Sequence, residues 1–192
     1  DGLDDFYQGT TLLLSDNGYY YDKRATNLPL EYFESFQPGE NGRMGFTHDA
    51  NASDIDGDGD IDIFLPIASP MSDGTLPKWA VLTNDGTGNF SANTNFPEAA
   101  RQVFATAAVI GDFDNDGNTD IYVANMYSKA GSRIMGNLRD GSYPEDVTQR
   151  LRHMVAGGEL YANRGDLKFE AVGKQFQIHA AGWAWGNSFA DF

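Results

Sequence analysis

Ala52-Ser-Asp54-Ile-Asp56-Gly57-Asp58-Gly59-Asp60-Ile-Asp62-Ile-Phe-Leu65 is answered further along by Ile110-Gly-Asp112-Phe-Asp114-Asn-Asp116-Gly117-Asn118-Thr-Asp120-Ile-Tyr-Val123. Both stretches read D-x-D-x-D-G-x-x-D and then run into β-branched and aromatic residues, the composition of a strand. Alternate positions of a tightly turning loop aim their carboxylates at one centre, and glycine at the sixth position permits the sharp turn. Calcium is a hard cation that takes six to eight oxygens at about 2.3–2.6 Å. In the first loop Asp54, Asp56, Asp58 and Asp62 are expected as side-chain ligands, with Asp60 giving its carbonyl. In the second the same roles fall to Asp112, Asp114, Asp116 and Asp120, with Asn118 giving its carbonyl. Carboxylates crowded this way repel one another without an ion, so a merely solvated acidic turn is the costlier reading. Magnesium keeps more of its waters and demands stricter octahedral geometry. A helical calcium loop needs a bidentate Glu at position twelve, where this chain has Leu65 and Val123.

Working outward, a second pattern recurs between the loops. Leu13-Leu-Ser-Asp-Asn-Gly18-Tyr-Tyr, Val81-Leu-Thr-Asn-Asp-Gly86-Thr-Gly-Asn-Phe90 and Leu160-Tyr-Ala-Asn-Arg-Gly165-Asp-Leu-Lys-Phe169 each give a short apolar strand, a polar turn with glycine, and an aromatic opening the next strand. These are hairpin signals, the first with a shorter turn. Hairpins and Asp loops alternate, so a full repeat reads as four antiparallel strands, the blade of a β-propeller. For the middle repeat the strands are expected near Val103–Gly111, Ile121–Asn125, Glu159–Asn163 and Lys168–Val172. A third Asp loop opens at Phe189-Ala-Asp191-Phe192, which makes Asp191 a further candidate ligand.

The expected architecture is therefore all-β: a β-propeller of four-stranded antiparallel blades, about three of them present. Residues 1–43 would end one blade, 44–98 form a second, 99–174 a third, and 175–192 begin another. The third blade is longer and carries an insertion at about 126–158. Within it Pro144–Val155 is expected to be helical, with Val147, Leu151, Met154 and Val155 on one face packing against the rim. Its Arg residues leave two readings open, a solvated face or a partner contact.

Composition narrows function. The 192 residues carry a net charge of −15, which disfavours nucleic acid and favours divalent cations. With no Cys, disulfides and thiolate metal sites are excluded. No apolar run approaches the length of a membrane span.

The Asp loop between strands, followed by L-x-x-N-x-G, resembles the FG-GAP/VCBS repeat of integrin-type β-propellers. Leu160–Phe169 with Gly182-Trp-Ala-Trp-Gly-Asn-Ser-Phe-Ala-Asp-Phe192 is similar to the subset found in cartilage acidic protein and ASPIC/UnbV-type proteins. The resemblance implies a ring of about seven blades, calcium between the first two strands of a blade, an extracellular or periplasmic setting, and binding or adhesion rather than catalysis. About three blades cannot close a ring, so further sequence or another chain is expected to complete it.

Two functions are weighed: a calcium-stabilised recognition, adhesion or assembly module with a protein or glycan partner, and the propeller portion of a polysaccharide-acting enzyme. Neither H-E-x-x-H nor G-x-S-x-G occurs, and His48, His153 and His179 are scattered. No catalytic residue is assigned. Trp183 and Trp185 are expected to alternate on a strand and face one way, either packing between blades or forming an aromatic platform for sugar. Asn51-Ala-Ser53 matches a glycosylation sequon beside the first loop.

Overall fold

Every residue of Asp62-Ile-Phe-Leu65 and of Glu159-Leu-Tyr-Ala-Asn163 is buried, the pattern of strands covered on both faces rather than one. The computed structural model describes residues 6–8, 11–16, 19–22, 27–29, 49–66, 79–97 and 105–190. Its strands are β1 (Phe6–Gln8), β2 (Thr11–Asp16), β3 (Tyr19–Asp22), β4 (Asn51–Ser53), β5 (Asp62–Leu65), β6 (Ala80–Asn84), β7 (Phe90–Asn93), β8 (Ala105–Gly111), β9 (Asp120–Asn125), β10 (Glu159–Asn163) and β11 (Phe169–Ala171). They form two four-stranded antiparallel sheets, β4-β5-β6-β7 and β8-β9-β10-β11, and a three-stranded sheet β1-β2-β3. Each sheet is a meander in which chain neighbours pair, as a blade requires.

The four strands expected for the middle repeat are β8 to β11, each found within two residues of its expected bounds where described. The hairpins repeat in register as well. Asn84 pairs with Phe90 and Asn163 with Phe169, so both turns hold five residues, whereas Asp16 pairs with Tyr19 across two.

The outer strands are more polar and exposed than the middle ones; β4 and β7 are only half-buried and β11 alternates poorly. The middle strands supply the core. Phe64, Leu65, Trp79, Val81 and Leu82 of one sheet join Ile121, Val123, Tyr161 and Phe169 of the other in a single cluster. Trp79 packs edge-on against Tyr161 with ring centres 5.6 Å apart, and Phe96 stacks on Phe169 at 4.5 Å. Large aromatics crossing between two sheets contribute both buried area and favourable ring geometry. A carboxylate ties the first strands together: Asp49 Oδ2 accepts from the backbone N–H of Ala108 in β8 at 2.8 Å. It also accepts from the Asn51 side-chain amide, so the sequon asparagine is engaged at the start of β4.

The insertion falls between β9 and β10 as expected, but it holds two helices, α1 (Lys129–Gly136) and α2 (Glu145–Met154). The first was not expected, because Gly131 and Gly136 weaken its helical signal. Its start is set by Ser128, whose hydroxyl accepts from Gly131 N–H at 3.0 Å. Gly131 also lies where a side chain would meet Val155, so the glycine lets α1 approach the end of α2. The expected apolar face of α2 is half-buried, and its last turn is tied to the sheet by the Asn125 amide donating to His153 O. A cleft of about 600 Å³ opens there, lined by Tyr127, Met135, Arg152, Val155, Lys174 and His179 among others.

The strand expected at Trp183 and Trp185 is corrected. Residues 173–190 run as irregular chain, with Trp183 in one isolated bridge to Met126. Side-chain hydroxyls and backbone hold this segment: Thr106 donates to Ala184 O and Tyr122 to Ile178 O, while Tyr127 N–H donates to Gly182 O. Both tryptophans are about two-thirds exposed, at 65% and 67%. His48 and Asp191 lie outside the described residues.

Candidate metal centre

Each Asp loop joins the first strand of a four-stranded sheet to the second, β4 to β5 and β8 to β9. Two residues per loop take the left-handed conformation. At the fourth position these are Gly57 (φ 82°) and Asn115 (φ 58°), and at the sixth Gly59 (φ 100°) and Gly117 (φ 88°). Asparagine is the side chain that best tolerates this region, which explains how one loop replaces glycine there. The curl folds backbone N–H groups inward onto the first carboxylate. Asp54 accepts from Gly57 and Gly59, and Asp112 from Asp116 and Gly117.

This geometry brings three of the predicted ligands together in each loop. Carboxylate oxygens of Asp54, Asp56 and Asp58 lie within 4.8 Å of one another, and so do those of Asp112, Asp114 and Asp116. All but Asp54 are exposed. Asp60 and Asn118 follow directly; their N–H groups donate to Asp58 and Asp116.

Asp62 and Asp120 are placed differently. Both are buried, at 0% and 1% exposure. Asp62 Oδ2 accepts from the N–H of Ile55 and Asp56, and Oδ1 from the N–H of Asn84 at 2.9 Å. Asp120 repeats this, accepting from Phe113 at 2.9 Å and Asn163 at 2.8 Å. The ninth-position carboxylate thus clamps the loop to the third strand of its own sheet. The asparagines complete the joint, Asn84 donating to Ile61 O and Asn163 to Thr119 O. They then organise the next hairpin, Asn84 Oδ1 accepting from Gly86 and Gly88 and Asn163 Oδ1 from Gly165. Sequence reading placed these asparagines in the hairpin motif but did not connect them to the Asp loop.

The loops also touch each other. Thr119 of the second donates its hydroxyl to the carbonyl of Asp54, the first residue of the other, at 3.0 Å. Asn163 reaches across to Ile55 O. Nothing in the D-x-D-x-D-G-x-x-D pattern marks Thr119, which occupies a variable position.

Electrostatics favour a cation. The Asp56 carboxyl is raised above its ordinary value, first by burial and then by the neighbouring charge of Asp62, with Asp58 and Asp54 adding. Burial raises Asp62 and Asp120 too, against the pull of their backbone amides. Among the described residues one basic group stands at a loop: Arg164 Nη1 lies 3.5 Å from Asp114 Oδ2, while its Nε donates to Glu170 at 2.9 Å. The donors at both loops are hard oxygens without nitrogen or sulfur, which fits calcium and not a soft metal.

Residues 54–123 match the model of the FG-GAP-like repeat. The match begins at the first aspartate of one loop and ends in β9, so it takes in both Asp loops and β5 to β8. That repeat implies a propeller, in agreement with the two blade-like sheets. No curated protein and no solved structure matches the chain. Among the described residues no helix is long and apolar enough to cross a membrane.

Proposed function

We propose that this chain is a calcium-stabilised β-propeller module that serves recognition, adhesion or assembly outside the cytoplasm. One observation carries the reading: the same three-carboxylate arrangement is built twice, at equivalent positions of neighbouring sheets, inside a match to the FG-GAP-like repeat. Asp54, Asp56 and Asp58 would hold one ion and Asp112, Asp114 and Asp116 another, completed by Asp62 and Asp120 and by the carbonyls of Asp60 and Asn118, while the amide bonds of Asp62 and Asp120 also hold the loops in shape. The ions' role is structural, since each loop bridges the first two strands of its sheet. FG-GAP repeats are typical of extracellular proteins, which supports the setting. The finer kinship to cartilage acidic protein and ASPIC/UnbV-type proteins rests on Leu160–Phe169 with Gly182–Phe192 and belongs to the same proposal, as does the absence of catalysis in this chain. A protein or glycan is the proposed partner.

Elemental analysis of the chain equilibrated in excess calcium, with the calcium of the matched buffer subtracted, tests the metal. Two calcium ions per chain agree with the proposal, and a metal-free chain contradicts it. The exposed pair Trp183 and Trp185 favours a second reading, a sugar-facing propeller within a polysaccharide-acting protein. Quenching of tryptophan fluorescence by acidic and neutral oligosaccharides, lost in Trp185→Ala, distinguishes it.

A further inference from the structure

The two Asp loops share a backbone design but differ in one neighbour. In the repeat register Asn84-Asp85-Gly86 of the β6–β7 turn corresponds to Asn163-Arg164-Gly165 of the β10–β11 turn. Asp85 turns back onto its own hairpin, accepting from Thr87 and Asn89. Arg164 instead reaches out of its hairpin to Asp114, the third-position carboxylate of the second loop. No basic side chain is paired with the carboxylates of the first loop among the described residues.

We infer that Arg164 acts as a resident cation on the second loop and makes it the weaker of two unequal calcium sites. This rests on the calcium reading proposed above. Its guanidinium neutralises part of Asp114 and repels an incoming divalent ion. The contact is 44% and 33% exposed on its two sides, so it yields to calcium rather than blocking it. Glu170 already holds the same guanidinium through Nε at 2.9 Å and offers it a place to remain when Asp114 turns to the ion. Loop one therefore fills first and stays filled, while loop two responds to calcium over a higher range. A unit charge within a few ångströms of a divalent ion weakens binding by about tenfold in a water-like dielectric.

Calorimetric calcium titration of the whole chain tests this. Wild type is expected to show two steps about tenfold apart. Asp112→Asn should remove the weaker step. Arg164→Gln should tighten that step toward the stronger one and leave the stronger unchanged, and Arg164→Lys, which keeps the charge, should leave both steps apart. Circular dichroism of each variant in calcium confirms the fold. Equal steps in wild type, or a weaker step that Arg164→Gln does not move, overturn the inference while leaving calcium binding intact. No binding at either step overturns the calcium reading itself, and this inference with it.

Discussion

Asp62 and Asp120 use both carboxylate oxygens on backbone N–H groups; the bonds from Ile55 and Asn163 are buried and those from Asn84 and Phe113 half-buried. Removing the acceptor leaves the donors unsatisfied, at about 1–3 kcal/mol for each buried group. Asp62→Ala is therefore expected to lower stability by about 2–4 kcal/mol in urea denaturation, even without calcium. Asp58→Ala, whose carboxylate is exposed, should cost little in metal-free protein and act only when calcium is present. The raised carboxyls of Asp56, Asp62 and Asp120 set a pH dependence. A folded carboxyl that keeps its proton to higher pH contributes stability fully below the unfolded value, near ~4, and loses it as pH rises through the folded value. Calcium bound as proposed would reverse that trend by favouring the ionised form. The gap between melting curves in calcium and in metal-stripped buffer should widen from pH 4 toward neutrality, and a constant gap would count against these groups.

At the level of elements, the Asp loop and the hairpin were legible because each repeats with its turn glycines in fixed places. Their strands follow from the β-branched and aromatic runs beside them. The joint between them was not legible, since it is made by Asn84 and Asn163 donating backbone N–H to a carboxylate more than twenty residues away. Helix α1 was missed because Gly131 serves close packing against Val155 rather than helix propensity. The Trp183–Trp185 segment was misjudged because alternation suggests a strand, while the Tyr127 N–H donating to Gly182 O and the Thr106 hydroxyl donating to Ala184 O hold it as irregular chain. One further close approach makes a prediction. Gly157 has φ 92°, and a side chain there would collide with the carbonyl of His179. Gly157→Ala should detach residues 176–182 from the insertion, read as faster amide exchange at Gly158, whose N–H donates to His179 O.

Across the whole molecule, the two four-stranded sheets depend on each other for a shared core. Trp79 is fully buried between Phe64, Phe96 and Tyr161. Trp79→Ala is expected to cost about 3–5 kcal/mol and to loosen both sheets together, seen as one cooperative melt moved down. The loops meet at the same end through Thr119 and Asp54, so ordering one loop helps order the other. Calcium bound as proposed, at ten times its dissociation constant, would contribute roughly 1.4 kcal/mol per site by mass action. For two sites in a chain of this size that corresponds to a rise of roughly 6–11 °C.

The thermal melt of the purified chain in calcium, in chelator, and in magnesium tests the central claim most directly. The account predicts a midpoint higher by roughly 6–11 °C in calcium than in chelator, little gain in magnesium, and loss of most of the calcium gain in the Asp54→Asn, Asp112→Asn double variant. Superimposable melts in calcium and chelator would contradict it: the Asp loops would then be solvated turns held by their own hydrogen bonds.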